Sequence, residues 1–172
     1  RLFENGVRLA PFAVLPVESE GEQGLLSIAL DPGYPASPYL YVFCTRAIDR
    51  ANVVVRFRDS AGVGLDPTII QLTPRTDDRT ANIGGALQFG PDGKLYVAVG
   101  DYGSDPRVAQ DLVTRRAYQG KILRLNPNGS TPADGPFPER PYWSYGHRNP
   151  TGLAFDEVTG TLYCVEGGTM GR

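Results

Sequence analysis

The sequence predicts an all-β fold, and three observations support this class. First, the 172 residues include 21 Gly and 15 Pro, which is typical of a protein with many tight turns. Second, the apolar residues fall in short runs of strand length, and only residues 106–116 suit a turn or two of helix. Third, a hairpin pattern recurs along the chain, and an internal repeat constrains the fold more than any local signal does.

The repeated unit contains Gly, an apolar strand, an acidic turn and a second strand that includes Leu-Tyr-Val or Leu-Tyr-Cys. The three copies occupy residues 24–45, 84–101 and 151–168. Leu30, Phe89 and Phe155 hold equivalent positions, about sixty residues apart. In the second copy Pro91, Asp92 and Gly93 provide the turn between the two strands, as Gly160 does in the third copy.

Further strands are predicted between these hairpins. They lie at residues 52–58, 68–73 and 121–126. Each repeat therefore holds about four strands, which is the pattern of a β-propeller blade. A propeller needs at least about four blades, and the repeats supply about three. We therefore predict that residues 1–172 form part of a propeller with no separate second domain.

The sequence is expected to be a fragment of a longer chain rather than one of several chains that assemble into a ring. An open half-propeller would expose unpaired sheet edges. The sequence starts at Arg1, without Met or an apolar leader, so we expect a processed or internal start.

The composition argues against several classes of protein. The formal net charge is −2, the isoelectric point is about 5.4 and no basic run occurs, so nucleic acid is not an expected partner. No apolar run has the length of a membrane-spanning helix. Cys44 and Cys164 lie within apolar strands, which predicts two buried free thiols, although the sequence leaves a disulfide open.

The densest polar cluster of the sequence is the segment 142–152. Arg148 offers a planar set of five donors that suits carboxylates or quinone oxygens, and Asn149 adds a donor and an acceptor. The alternative is that both residues only cap the end of a blade. His147 is the one histidine, and it has no evident orienting partner in the sequence. We therefore expect a structural or supporting role for it rather than service as a general base.

Two acidic segments are further candidates. Glu22 belongs to an acidic loop before the first repeat strand, which could equally be a solvated surface loop. Asp101 closes the second strand of the second copy, at the end where a propeller channel binds ligands. No carboxylate spacing matches a dedicated calcium loop. Asn128 begins a glycosylation sequon, and such short matches are often fortuitous.

Four segments of the sequence together resemble the soluble quinoprotein glucose/sorbosone dehydrogenases, a family that includes bacterial aldose sugar dehydrogenases and the propeller of Hedgehog-interacting proteins. They are GEQGLLSIALDP (21–32), IGGALQFGPDGKLYVAVGD (83–101), QGKILRLNPNG with TPADGPF (119–137) and WSYGHRNPTGLAFD (143–156). The resemblance implies a six-bladed propeller, of which this chain would be roughly the N-terminal three blades. It also implies pyrroloquinoline quinone (PQQ) with Ca²⁺, oxidation of the C1 hydroxyl of an aldose, and a periplasmic or extracellular location.

The resemblance further implies roles for single residues. Arg148 and Asn149 would contact the quinone, Glu22 would line the same pocket and Asp101 would lie near the reacting centre. Backbone carbonyls at two positions of the segment that follows the third hairpin would hold calcium, namely those of Gly168 and Thr169.

The sequence departs from the family pattern at the catalytic base. Family dehydrogenases carry His two residues before the glycine pair, where this sequence has Asn82, and a neutral amide cannot act as a base near pH 7. Thr151 also stands where many relatives have Gln. The sequence is thus compatible with a sugar dehydrogenase impaired by Asn82, or with a non-catalytic propeller for binding or extracellular assembly. A calcium-dependent lactonase-like propeller is a third reading.

Overall fold

The computed structural model describes residues 1–74, 78–104, 106–112, 118–137 and 139–168. Its elements are β1 (Phe3–Glu4), β2 (Val7–Arg8), β3 (Leu25–Leu30), β4 (Tyr39–Thr45), β5 (Asn52–Ser60), β6 (Val63–Thr73), β7 (Gly84–Phe89), β8 (Leu95–Val99), α1 (Pro106–Gln110), β9 (Lys121–Leu125), β10 (Tyr142–Tyr145), β11 (Pro150–Phe155) and β12 (Leu162–Glu166). The predicted all-β class is confirmed.

The strands form two antiparallel four-stranded sheets, each in chain order. The first sheet runs β3-β4-β5-β6 and the second runs β7-β8-β9-β10, while β11-β12 and β1-β2 are separate hairpins. We call the first strand of each of these sheets, β3, β7 and β11, its leading strand. The leading strand β7 packs against both β3 and β11. Successive sheets whose first strands lie side by side are blades of a β-propeller. The described residues therefore contain two full blades and the first hairpin of the next.

All three repeated units are hairpins, as predicted. The equivalent residues Leu30, Phe89 and Phe155 form the last pair of their hairpins, opposite Leu40, Leu95 and Leu162. Each hairpin also has a register shift near the start of its first strand. Such a bulge bends the strand and re-aims the residues beside it.

The core between the repeats lies in two layers: one between the first and second sheets, and one between the second sheet and the β11-β12 hairpin. The first sheet packs on the second through residues that include Tyr41, Phe43, Val54, Leu87 and Val97. The opposite face of the second sheet packs on β11-β12 through Ala86, Tyr96, Ala98, Ile122, Phe155 and Leu162. Because side chains of a strand alternate between its two faces, one sheet can bury both faces in this stack.

Two elements were not predicted from the sequence. The hairpin β1-β2 turns at Asn5 and Gly6, whose φ angles of 49° and 79° suit a two-residue hairpin turn. Strand β10 lies inside the segment that the sequence presented as a polar cluster. The predicted helical segment begins with α1, which ends at Gln110, and its residues 113–116 lie outside the described residues.

The two cysteines differ, and one prediction about them is wrong. Both are free; Cys44 is buried but Cys164 is exposed. Cys44 lies under the N-terminal segment, which covers the outer face of the first sheet with Phe12 and Leu15. Cys164 is exposed because, within the described part of the chain, β12 pairs with β11 alone and each of its residues after Leu162 is open to solvent. Among the described residues, no helix is long and apolar enough to cross a membrane.

Candidate functional site

The loops at one end of β3, β7 and β11 meet, because these strands pack side by side. The loops after β8 and β12 return to the same end, since each of these strands is antiparallel to its hairpin partner. Polar residues that are up to 127 positions apart in the sequence thereby come into contact. The candidate site is built at this end of the blades.

Asn82 and Asp101 form a buried pair. The Asn82 amide Nδ2 donates to Asp101 Oδ1 at 2.9 Å, and the Gly103 N–H donates to the same oxygen at 2.7 Å. Only 7% of Asn82 and 5% of Asp101 is exposed. Asn82 has a φ of 53°, in the left-handed region that Asn tolerates better than most residues. The amide at the position of the expected base therefore acts as a donor to a carboxylate.

Glycine is required where the backbone passes this pair. A Cβ on Gly100 would lie 1.8 Å from the Asn82 carbonyl oxygen, and one on Gly84 would lie 2.7 Å from the Gly100 nitrogen. The Gly100 N–H donates to the Ile83 carbonyl at 3.0 Å, which locks the two segments together. The glycine pair and the closing glycine of the second hairpin thus allow the backbones to approach closely enough to place Asn82 beside Asp101.

Glu22 and Asn149 connect the three leading strands. The Asn149 Nδ2 donates to Glu22 Oε2 at 3.2 Å, while its Oδ1 accepts the Gly84 N–H at 2.9 Å. The Ile83 N–H lies 3.4 Å from the same Glu22 oxygen. The side-chain amide of Asn149, which precedes β11, therefore holds both Glu22 in the loop before β3 and Gly84 at the start of β7.

Arg148 is fixed through both its backbone and its side chain. Its N–H donates to Glu166 Oε1 at 2.6 Å, and its carbonyl accepts the Asp101 N–H at 2.8 Å. The guanidinium Nη1 donates to the carbonyl of Gly168 at 3.2 Å and lies 3.4 Å from that of Gly167. Arg148, which is expected to contact the quinone, thus faces the Gly168 carbonyl, which is expected to hold calcium. The other expected carbonyl, that of Thr169, lies outside the described residues.

His147 has two side-chain partners, neither of which was evident from the sequence. Ser144 Oγ lies 2.7 Å from Nε2, and Glu166 Oε2 lies 2.8 Å from Nδ1. Glu166 therefore holds His147 with one oxygen and the Arg148 N–H with the other. Partial burial raises the pKa of the nearby Cys164 thiol, and the charge of Glu166 raises it further. The sequence carried no signal for the His147–Glu166 pair, which joins residues 19 positions apart.

A cavity of about 320 Å³ opens beside these residues. It is lined by Asn82, Asp101, Gly103, Ser104, Ala109, Gln110, Gly146, His147 and Arg148. Arg79 donates to the Gly103 carbonyl and the Ser104 hydroxyl at the rim, at 3.0 and 3.1 Å. The cavity lining therefore combines one arginine, a carboxylate and two side-chain amides, which is the convergence of polar groups expected of a ligand site.

One wall of the cavity is α1, and a buried lysine holds it. The Lys121 Nζ donates to the carbonyls of Val108 and Ala109 at 3.2 and 3.3 Å, and to that of Gln119 at 3.0 Å. Burial lowers the pKa of Lys121 to about 8, against a smaller opposing effect of Asp111. Lys121 is therefore a structural anchor, which was not identified from the sequence.

The described residues form part of a β-propeller with a polar cavity at the ends of its leading strands. The family model described as Glucose / Sorbosone dehydrogenase matches residues 1–172, and the chain belongs to this family. The resemblance deduced from the four sequence segments is thereby confirmed.

Named relatives agree with this membership. The chain is 31% identical over 179 residues to aldose sugar dehydrogenase YliI of Escherichia coli, covering 94% of this chain and 46% of that protein. The solved PQQ-bound aldose sugar dehydrogenase of Streptomyces coelicolor is 36% identical with a TM-score of 0.76, covering 89% of this chain and 45% of the other. Human Hedgehog-interacting protein is 29% identical over 123 residues, which is 64% of this chain and 17% of that protein. The chain spans less than half the length of these proteins.

The residues at the cavity fit PQQ better than they fit calcium. PQQ is an anionic quinone, and arginines with amide donors suit its oxygen atoms. Calcium takes about six to eight oxygen ligands. The expected carbonyl donor among the described residues, that of Gly168, already faces the positive Arg148 guanidinium. The Gly168 carbonyl is therefore engaged in a hydrogen bond rather than free to bind calcium.

Proposed function

We propose that the full-length protein is a PQQ-dependent aldose dehydrogenase-like oxidoreductase whose turnover is limited by Asn82. The observation that carries the proposal is the arrangement of Asn82, Asp101 and Arg148 around one cavity in a chain of this family. Glu22 and Asn149 are not among the residues that line the cavity, although Asn149 directly follows the lining residue Arg148 and is hydrogen-bonded to Glu22 and Gly84. A sugar is the proposed substrate, and the remaining blades would come from further sequence of the same protein or from another chain.

Bound PQQ would supply the two-electron acceptor that removes hydride from C1 of the aldose, leaving a lactone. Arg148 would donate charge-assisted hydrogen bonds to its anionic or quinone oxygens. Asn149 would present an amide whose orientation is fixed in advance by Glu22 and Gly84. Such preorganisation lowers the cost of binding, because the side chain is already ordered.

The proton of the C1 hydroxyl needs an acceptor other than Asn82. A neutral amide cannot take a proton near pH 7. Asp101 lines the same cavity and accepts a hydrogen bond from Asn82, so we assign it as the proton acceptor. Asn82 would then orient Asp101 rather than perform the transfer itself.

The test reconstitutes the full-length protein with PQQ and CaCl₂ and follows dye reduction with a panel of aldoses. We expect slow turnover in the wild type and a gain of about 10²-fold or more in Asn82→His, because a positioned general base contributes on this scale. Asn128→His, on an exposed turn, is the matched control and should gain nothing. Arg148→Ala should weaken PQQ binding about tenfold or more, through loss of charge-assisted hydrogen bonds.

Two results would contradict the proposal. One is the absence of both PQQ binding and dye reduction in the wild type and in Asn82→His. The other is retention of turnover in Asp101→Asn, which would exclude Asp101 as the proton acceptor while leaving the cofactor assignment intact.

A second candidate is a non-catalytic propeller that serves binding or extracellular assembly. The observation that favours it is the commitment of the Asn82 amide to Asp101, in the place of an imidazole. Under this alternative the Asn82→His protein would bind no PQQ. A periplasmic or extracellular location is proposed under either function, and cell fractionation with an antibody to the full-length protein would test it.

A further inference from the structure

Three side chains with different metal-binding atoms converge on the outer side of the Arg148 turn. A ring nitrogen of His147, the Sγ of Cys164 and a carboxylate oxygen of Glu166 all lie within 4.8 Å of one another. Cys164 and Glu166 are two positions apart on β12, so both project from the same face of that strand. His147 reaches them from the turn before β11.

We propose that His147, Cys164 and Glu166 bind a borderline divalent metal ion of the Zn²⁺ type, with water as the fourth ligand. Bond lengths of about 2.0 to 2.3 Å around a tetrahedral ion place the ligand atoms about 3.3 to 3.8 Å apart. Separations of up to 4.8 Å therefore close with side-chain movements of about 1 Å, while the 2.8 Å between His147 Nδ1 and Glu166 Oε2 widens slightly. Nitrogen, sulfur and oxygen ligands suit zinc, copper or nickel, whereas calcium and magnesium require oxygen ligands. The site is thus chemically distinct from the carbonyl groups expected to hold calcium.

The surroundings of the three ligands favour this use. Ser144 Oγ lies 2.7 Å from His147 Nε2, so it can hold the ring by one nitrogen while Nδ1 coordinates the ion, as outer partners of metal-bound histidines do. Glu166 keeps its Oε1 on the Arg148 N–H while Oε2, now 2.8 Å from Nδ1, turns to the ion. The Ser144–His147 and Glu166–Arg148 contacts therefore remain when the ion enters, and the hydrogen bond between His147 Nδ1 and Glu166 Oε2 is replaced by bonds to the ion.

The thiol is the part of the cluster that a purely structural role leaves unexplained. Ser144, His147 and Glu166 suffice to hold the Arg148 turn without Cys164. Among the described residues, the one hydrogen bond found for the Cys164 Sγ is with the adjacent Val165 carbonyl, at 3.8 Å. Metal coordination gives this exposed thiol, which lies close to an imidazole and a carboxylate, a defined partner. It also couples metal occupancy to the turn that carries Arg148.

The test titrates chelator-treated full-length protein with Co²⁺, which reports thiolate ligation by a charge-transfer absorption band and tetrahedral geometry by its visible bands. We expect about one equivalent of Co²⁺ to give both signals and Zn²⁺ to displace it. Cys164→Ser should lose the charge-transfer band, and His147→Ala should weaken Co²⁺ binding at least tenfold. Cys44→Ser or Cys44→Ala, which alters the buried cysteine of the first sheet, should keep both signals.

The proposal is overturned if the wild type shows no stoichiometric Co²⁺ or Zn²⁺ binding. It is also overturned if folded Cys164→Ser protein, checked by circular dichroism, keeps the band and the wild-type affinity. Neither measurement depends on PQQ or on turnover, so failure of the proposed function would leave this test intact.

Discussion

Replacement of Gly100 by Ala tests the close backbone approach on which the candidate site depends. The added Cβ would lie 1.8 Å from the Asn82 carbonyl oxygen, 2.6 Å from its carbonyl carbon and 2.9 Å from the Gly84 nitrogen. All three atoms belong to backbone, which cannot move aside as the end of a flexible side chain can. The Asn82 carbonyl also accepts the Tyr102 N–H at 3.1 Å, so a shift of this segment disturbs several bonds at once.

The expected loss in the free energy of unfolding is about 3 kcal/mol. Overpacking of a filled site costs about 1 to 3 kcal/mol. If the segment that carries Gly100 moves away from residues 82–84, the hydrogen bond from the Gly100 N–H to the Ile83 carbonyl also weakens. This adds about 1 kcal/mol to the loss in unfolding free energy. Separation would also move Asn82 away from Asp101, so ligand binding at the cavity should fall along with stability.

The assay is urea denaturation of the full-length protein, followed by circular dichroism. Gly135→Ala is the matched control, because its nearest neighbour would lie 3.7 Å from the new Cβ, in ordinary van der Waals contact. The control should change the free energy of unfolding by less than about 0.5 kcal/mol. If Gly100→Ala were within 1 kcal/mol of this control, the close approach of Asn82 and Gly100 would be wrong.

Three further predictions concern charged groups. The Arg124 guanidinium donates two hydrogen bonds to Asp134 and lowers the pKa of that carboxyl to about 2. A carboxyl group whose pKa is lower in the folded protein than in the unfolded chain, where it is about 3.9, stabilises the fold above that pH. The difference in unfolding free energy between wild type and Asp134→Asn should therefore vanish as the pH falls from about 4 to about 2 in urea titrations. For Lys121, the folded pKa of about 8 lies below the unfolded value of 10.5, so the unfolding free energy should rise from pH 8 to about 10, and Lys121→Met should lose this rise. Glu22→Ala should change stability by less than about 1 kcal/mol, because Glu22 is exposed. The same variant should weaken PQQ binding measured by fluorescence quenching, because Asn149 loses its acceptor.

The repeat and its turns were predictable because they depend on local chemistry. Gly93 has the positive φ of 69° that its turn requires, and Asp92 accepts the Lys94 N–H at 3.1 Å, in line with its predicted bond to backbone. Strand β10 was missed because its aromatic residues resemble a surface cluster in the sequence. Tyr142 is buried instead, and the exposed Trp143 still packs across the sheet against Tyr96, with ring centroids 5.5 Å apart.

The candidate site was predictable only in part. Asn82 and Asp101 were selected separately, on a missing histidine and on the end of a strand, and the structure places them in one hydrogen bond. Glu166 was not selected, although it holds both His147 and Arg148. Its role depends on how β12 turns back toward the start of β11, which no local pattern records.

By itself the sequence determined the repeat, its turns and the strands other than β1, β2 and β10, because alternation and turn chemistry act over a few residues. It also determined the identity of residue 82 and hence the lack of an imidazole there. Only the tertiary structure decided which side chains meet: Glu22 with Asn149, Asn82 with Asp101, and His147 with Glu166 and Cys164. These contacts arise from the side-by-side packing of the leading strands, which brings distant loops to a common end and thereby decides what chemistry the site can support.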